Sequence, residues 1–238
     1  MRHQDVVYGD VAITDTLALD IIESPSFQRL KNVDMAWYFE VFYPWSAHSR
    51  FEHSIWVYTL LNTYRASTEE QIAGLIHDVS HWAFSHCLDY VFDEGSQKEQ
   101  SHQDNIFETF IKTTDIPQIL ERHKIDLDFV LDDKNFPLKE TLLPDLCADR
   151  IDYILRWAIH YANNPRQEMQ KILSHLFIHE KKRVFDNAEY AQKFAELFKE
   201  INDVYYSDIT TAVMFQTTGD VLKYAIQKQY ITKADLYT

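Results

Sequence analysis

Six of the eleven histidines, His48, His53, His77, His81, His86 and His102, crowd into the first half of the chain. Two of them lie in the otherwise apolar stretch Leu75-Ile76-His77-Asp78-Val79-Ser80-His81-Trp82. Packing gives no reason to place imidazoles and a carboxylate there: burying an unpaired polar group costs roughly 2–7 kcal/mol, and an unpaired charge costs more. A divalent cation would satisfy several of them at once. His53 at the start of one helical pattern, His77-Asp78 at the end of the next and Asp149 in a later apolar helix together offer two imidazoles and two carboxylates. That donor set suits one borderline divalent transition ion, Mn, Fe, Co, Ni or Zn, and leaves coordination positions open for water and a phosphate oxygen. His48 and His86 read as structural, unless a second metal ion recruits them.

These donors need helices to carry them. Glycine occurs only four times, at Gly9, Gly74, Gly95 and Gly219, and proline six times, which excludes a turn-rich β architecture. A short strand is expected near Tyr8-Gly9-Asp10-Val11-Ala12-Ile13-Thr14, then a helix over 15–23 and another started by Pro25. Residues 54–65 read as a helix, with Ile55, Tyr58, Leu61 and Tyr64 at spacings of three. Ser67 and Glu70 have capping-box spacing for the next helix, which carries Ile72, Leu75, Ile76 and Val79 inward. His77 and His81 are four apart and share a face if that helix persists so far. Pro144 is expected in the first turn of a helix that puts Asp149 and Tyr153 on one face. A small hairpin is expected over 176–185, with Lys181-Lys182-Arg183 at its solvated turn, and helices over 188–201 and 209–227. The polar segments 93–100 and 132–138 read as loops.

A chain of 238 residues is expected to form one domain, with a core over about 6–160 and a C-terminal helical extension over about 165–238. The apolar content, 46% with 14% aromatic, excludes disorder, and no long uncharged apolar run calls for a membrane span. With no apolar signal core at the N-terminus and only Cys87 and Cys147 as cysteines, a cytoplasmic setting is expected. The formal net charge of −14 argues against a broad nucleic-acid surface and remains compatible with a small phosphorylated substrate whose charge a metal offsets.

The order His53, His77-Asp78, Asp149 resembles the H…HD…D signature of the HD superfamily of metal-dependent phosphohydrolases. The flanking segments Tyr8-Gly9-Asp10, Glu23-Ser24-Pro25-Ser26-Phe27-Gln28-Arg29-Leu30, Tyr43-Pro44, Ala47-His48-Ser49-Arg50-Phe51-Glu52-His53-Ser54, Leu75-Ile76-His77-Asp78, Phe84-Ser85-His86 and Ala148-Asp149-Arg150-Ile151-Asp152-Tyr153 are similar to its deoxynucleoside-triphosphate triphosphohydrolase-like branch. The similarity runs from about Val6 to Ala158 and fades beyond Phe177. It implies a mostly α fold, an HD-domain helical core with a small β-hairpin or short strands. It implies His53, His77, Asp78 and Asp149 as metal ligands, His81 and His102 as catalytic histidines, and Arg50, Arg150 and Tyr153 as substrate phosphate-binding residues. A bound divalent ion would acidify a water toward neutral pH and polarise a phosphoryl oxygen. The related enzymes commonly assemble, so a homo-oligomer is expected.

The chain departs from that branch where the sugar is read. Met35-Ala36-Trp37-Tyr38-Phe39-Glu40 stands in place of a Gln-Leu-Gly stretch, Trp157 in place of an acidic residue four after the tyrosine, and Ser80-His81-Trp82-Ala83 in place of Gly-His-Gly-Pro. These changes remove polar groups and add bulk. The aromatic run 37–45 reads as core, a subunit contact or a base-stacking wall. The expected activity is therefore metal-dependent hydrolysis of a phosphoester or phosphoanhydride of a nucleotide-type substrate, without commitment to deoxynucleotides. Two other readings fit the same ligands: a phosphodiesterase or nuclease acting on a cyclic nucleotide or nucleic acid, and a non-catalytic nucleotide-binding HD module.

Overall fold

The computed structural model describes residues 1–35, 47–92, 102–160, 162 and 164–237. The aromatic run 37–45, Tyr43-Pro44 and the loop expected over 93–100 lie outside these residues. The described chain is mostly α-helical, with two small two-stranded antiparallel sheets. The first sheet is a hairpin of β1 (Arg2–Asp5) and β2 (Gly9–Ala12), in which Asp5 pairs with Gly9. The alternation near Tyr8 pointed to the second strand alone. The turn is held by Asp5, whose Oδ1 accepts from the backbone N–H of Val7 (2.6 Å) and Tyr8 (3.0 Å). At Gly9 φ is +86°, a conformation that glycine adopts without steric cost.

Helix α1 (Thr16–Glu23) starts at Asp15, which caps the N–H of Ala18, and α2 (Pro25–Gln28) starts at Ser24 with proline in its first turn, as expected. Helix α3 (Arg50–Thr63) begins four residues before the span read from the sequence. The cause is a capping box: Ser49 accepts from the Glu52 N–H, and Glu52 reaches back to the N–H of Ser49. The earlier start puts His53 in the first helical turn. From Phe51 to Leu61 all but the partly exposed Glu52 are buried, so α3 is the central helix, packed on one side by α4 (Thr68–Ile76) and on the other by α8 (Ala148–His160). The α3–α4 approach is close enough that a Cβ on Gly74 would lie 2.3 Å from Leu61 Cδ1.

Ser67 caps α4 as expected, but Glu70 does not return to it. Its buried carboxylate instead accepts from the N–H groups of Leu138 and Lys139, tying α4 to the segment that leads into α8. Helix α4 ends at Ile76, so His77 and His81 do not share a helical face. Residues 77–80 form an irregular turn, held by Val79 N–H to Ile76 O, His81 N–H to Asp78 O and the Arg29 guanidinium on the Val79 carbonyl (2.6 Å). Helix α8 begins at Ala148, four residues after Pro144, because the Ala148 N–H is taken by Leu138 O (2.8 Å).

The intervening helices α5 (His102–Ile111), α6 (Ile116–Arg122) and α7 (Leu127–Leu131), and α9 (Arg166–Ser174) after α8, complete the surround. The expected hairpin is β3 (Leu176–His179) with β4 (Lys182–Phe185), closed by a two-residue turn with positive φ at Glu180 and Lys181. Helices α10 (Ala188–Ile201) and α11 (Ile209–Gln227) match the spans read from the sequence, with a single π turn, Asn202–Tyr206, between them. One core cluster lies among α1, α3, α4, α6 and α7, and a second among α3, α8, α9 and α10. No helix among the described residues is long and apolar enough to cross a membrane.

Candidate metal centre and substrate cleft

The centre forms where three helices meet: His53 in the first turn of α3, His77 just past α4 and Asp149 in the first turn of α8. The hydrogen bonds behind each imidazole decide what it presents to the others. Nδ1 of His77 lies 2.8 Å from Gly74 O, which can only accept, so Nδ1 carries the proton and Nε2 presents its lone pair. Nδ1 of His53 lies 2.7 Å from Asp152 Oδ2, so it too donates backward. The two Nε2 atoms are 3.2 Å apart, and Asp149 Oδ1 is 2.8 Å from that of His53 and 3.6 Å from that of His77. Atoms about 2.1 Å from one common ion sit about 3.0–3.4 Å from each other, so the donor set and its spacing fit a divalent transition metal.

Three electron-pair donors this close require a cation between them. Burial alone would lower the pKa of His53, but its hydrogen bonds to Asp149 and Asp152 outweigh that and raise it to about 10. Against the opposing effect of burial, His53 and His77 hold the Asp149 carboxyl far below the usual carboxylate range. Without metal, a proton on His53 fills the role that an ion fills when bound.

Asp78 faces the same point, 3.6 Å from His77 Nε2 and 3.8 Å from His53 Nε2, through different oxygens. Its Oδ2 also accepts from Arg50 Nη1 (2.8 Å), and its Oδ1 lies 3.2 Å from His81 Nε2. Burial would raise its pKa, yet the Arg50 charge first, and then the neighbouring imidazoles, hold it well below the ordinary value. Arg50 is itself buried, with longer contacts to Ser85 Oγ and Met35 O. Burial, then the Arg50 charge, keep the His81 imidazole well below the usual histidine range and hence neutral.

A cleft of about 570 Å³ opens over this centre. His77, Asp78, His81, Asp149, Arg150 and Tyr153 line it, with Arg50 at its floor. Arg150 is oriented by the carbonyls of Asp145 and Thr141 (2.5 and 3.1 Å), and Tyr153 meets Tyr206 edge-on with ring centres 5.6 Å apart. His102 is placed differently. It opens α5 buried against Trp82 and Phe92, gives its backbone N–H to Asp89 and does not line the cleft, whereas Gln103 and Asp104 after it do. His86 lines the cleft, and His48 stacks on His160 outside it. Trp157 is buried against Tyr205 and Tyr206 in the second core cluster. At the β3–β4 hairpin, Lys182 pairs with Asp145, while Arg183 is buried with Nε on Leu138 O and its guanidinium over the Tyr64 ring.

Sequence reasoning missed the residues behind the donors. Asp152 lies one turn after Ala148-Asp149 and four before Arg156, an ion-pair spacing that was readable. Asp5, which pairs with Arg156 at 2.7 Å, is 151 residues away, and no local signal links them. Also unforeseen were the cleft carboxylates Asp104, Glu108, Asp133 and Glu140, and Lys139, which pairs with Asp133.

No family model matches the sequence. The chain is similar to the uncharacterized protein YdhJ of Bacillus subtilis, at 36% identity over 99% of this chain and 72% of that protein. It is similar to the metal-dependent phosphohydrolase cns2 of Cordyceps militaris, at 28% identity over 92% of this chain and 64% of that one. A Dictyostelium discoideum homolog of the deoxynucleoside triphosphate triphosphohydrolase SAMHD1 is 26% identical over 71% of this chain and 38% of its own length. The chain belongs to the HD superfamily of metal-dependent phosphohydrolases. A solved phosphohydrolase from Bacteroides thetaiotaomicron, 20% identical, shares the fold of this superfamily member with a TM-score of 0.76 over 97% of this chain and 61% of that one. Except for YdhJ, the chain spans under two thirds of the length of each of these relatives.

Proposed function

We propose that the protein is a metal-dependent hydrolase of phosphoester or phosphoanhydride bonds in a small nucleotide. The observation that carries this is the convergence of His53 Nε2, His77 Nε2 and Asp149 Oδ1 beneath an open cleft that His77 and Asp149 line, with Asp78 alongside. These four residues hold the ion, which when bound supplies an acidified water and polarises a phosphoryl oxygen. Arg50 keeps Asp78 ionised and, lining the cleft, has a second N–H on Nη1 and on Nη2 for a phosphate oxygen. Arg150 and Tyr153, side by side on the first two turns of α8, take further phosphate oxygens at the cleft wall. His81, neutral and 3.2 Å from Asp78, is placed to pass a proton beside the reacting phosphoryl group. His102 supports this arrangement from behind Trp82.

Three observations support a nucleotide as the substrate. The sequence resembles a branch that acts on deoxynucleoside triphosphates, a relative carries that name, and Tyr153, Tyr206 and Phe107 give the cleft aromatic faces for a base. Polymers are disfavoured by the net charge of −14 and by the carboxylates Asp104, Glu108, Asp133 and Glu140 that line the cleft. In this reading the protein acts as a homo-oligomer in the cytoplasm, where the buried thiols of Cys87 and Cys147 stay reduced.

The test is a product-resolved nucleotide screen with metal-loaded protein. Release of triphosphate, pyrophosphate or phosphate that ceases in Asp149→Ala supports the reading and identifies the scissile bond. Shortened oligonucleotides with steep salt dependence would replace it with a nuclease, and tight nucleotide binding without turnover would replace it with a sensor module.

A further inference from the structure

Behind His53 lies a chain of charged side chains that no packing requirement calls for. His53 Nδ1 donates to Asp152 Oδ2 (2.7 Å). Arg156, one turn further along α8, grips both oxygens of that carboxylate, Nε to Oδ2 at 3.1 Å and Nη2 to Oδ1 at 2.9 Å. Its Nη1 donates to Asp5 Oδ2 (2.7 Å), and Asp5 Oδ1 holds the N–H groups of Val7 and Tyr8 in the hairpin turn. All four side chains are nearly or fully removed from solvent. Bidentate pairing fixes the plane of the Asp152 carboxylate, and that plane fixes the rotation of the His53 ring and which of its nitrogens carries the proton. The Asp5 contact fixes the guanidinium in turn.

We infer that Asp5 and Arg156 are positioning residues for the metal centre, so that docking of the N-terminal hairpin sets its metal affinity. This rests on the metal-site reading above. Two carboxylates hold one buried guanidinium, and removal of either leaves a charge uncompensated, which frees the Asp152 carboxylate to turn and the His53 ring with it. The N-terminal hairpin, which contributes no side chain to the cleft lining, thereby acts on a ligand of the centre through two residues one turn apart on α8.

The discriminating variant is Asp5→Asn. Asparagine keeps an oxygen for the hairpin turn but presents an N–H where Arg156 needs an acceptor, so the hairpin survives and the relay does not. Cobalt(II) affinity, measured by competition with a chromophoric chelator, is expected to weaken about 10–100-fold in Asp5→Asn and Arg156→Gln. Arg156→Lys should restore part of it. His53→Ala should abolish binding, which identifies the site being probed, and Val130→Ala, a core change elsewhere, should lower stability without lowering affinity. Wild-type affinity in both Asp5→Asn and Arg156→Gln overturns the inference while leaving the metal reading intact. Failure of the wild-type protein to bind metal overturns the metal reading. In metal-free protein the relay retains its own readout: the His53 Nδ1–H proton resonance should sit far downfield and move in Asp5→Asn, and an unmoved resonance refutes the coupling.

Discussion

Replacing Arg50 by methionine tests whether the centre is organised around cation balance. The guanidinium is 2% exposed and has one short contact, Nη1 to Asp78 Oδ2 at 2.8 Å, with two longer ones at 3.4 Å. Methionine preserves most of the side-chain volume, so the cavity cost is small and the loss is electrostatic. Removing one partner of a buried pair costs about 3–5 kcal/mol, because the other charge is left uncompensated. For a chain of this size about 1 kcal/mol shifts the melting temperature by about 2–4 °C, so metal-free Arg50→Met should melt roughly 6–20 °C below wild type. A bound divalent ion supplies positive charge close to the same carboxylate, so the deficit should shrink with metal. Asp78→Asn in the Arg50→Met background should recover most of the stability and none of the activity. The assay is thermal and urea unfolding of the three proteins with chelator and with saturating manganese or cobalt. A metal-free loss under about 1 kcal/mol, or one unchanged by metal, would refute the reasoning.

Three further outcomes follow from the geometry. Chelation should abolish phosphohydrolysis, and returning metal at 100 times its Kd should stabilise the wild-type protein by about 2.7 kcal/mol but leave Asp149→Ala unmoved, read by unfolding with and without metal. Burial raises the Glu70 pKa against the hydrogen bonds from Leu138 and Lys139, so the folded state binds a proton more readily than the unfolded one and stability falls as pH rises upward from the ordinary carboxylate range. Glu70→Gln should remove that decline, and unfolding in chelator from pH 4.5 to 7 would reveal an unaltered slope if the idea is wrong. Tyr206→Ala should raise KM for a nucleotide by about 5–150-fold, equivalent to about 1–3 kcal/mol of stacking, with kcat nearly kept; unchanged KM would remove Tyr206 from the site.

What could be read from the sequence divides along a physical line. Asp15, Ser24 and Pro25 announce helix starts because a cap or a fixed φ acts within three residues, and 188–201 and 209–227 repeat an apolar period long enough to bound a helix. The irregular turn after Ile76 could not be read that way. It is held partly from outside, by Arg29 on the Val79 carbonyl fifty residues distant in sequence, which overrides the local pattern that would have continued the helix. Pro144 misled for the same reason, since the start of α8 is set by a bond from Ala148 to Leu138. The donors His53, His77 and Asp149 stood out because imidazoles and carboxylates are costly in apolar surroundings, and that cost is visible in composition. What orients them is not. Gly74 offers a carbonyl that every residue has, and Asp5 is an ordinary acidic residue until the fold sets it against Arg156. The capacity to donate an electron pair is thus a property of side-chain chemistry and survives in the sequence, whereas the tautomer and rotation that aim an imidazole at a common point depend on contacts formed only once the helices have packed.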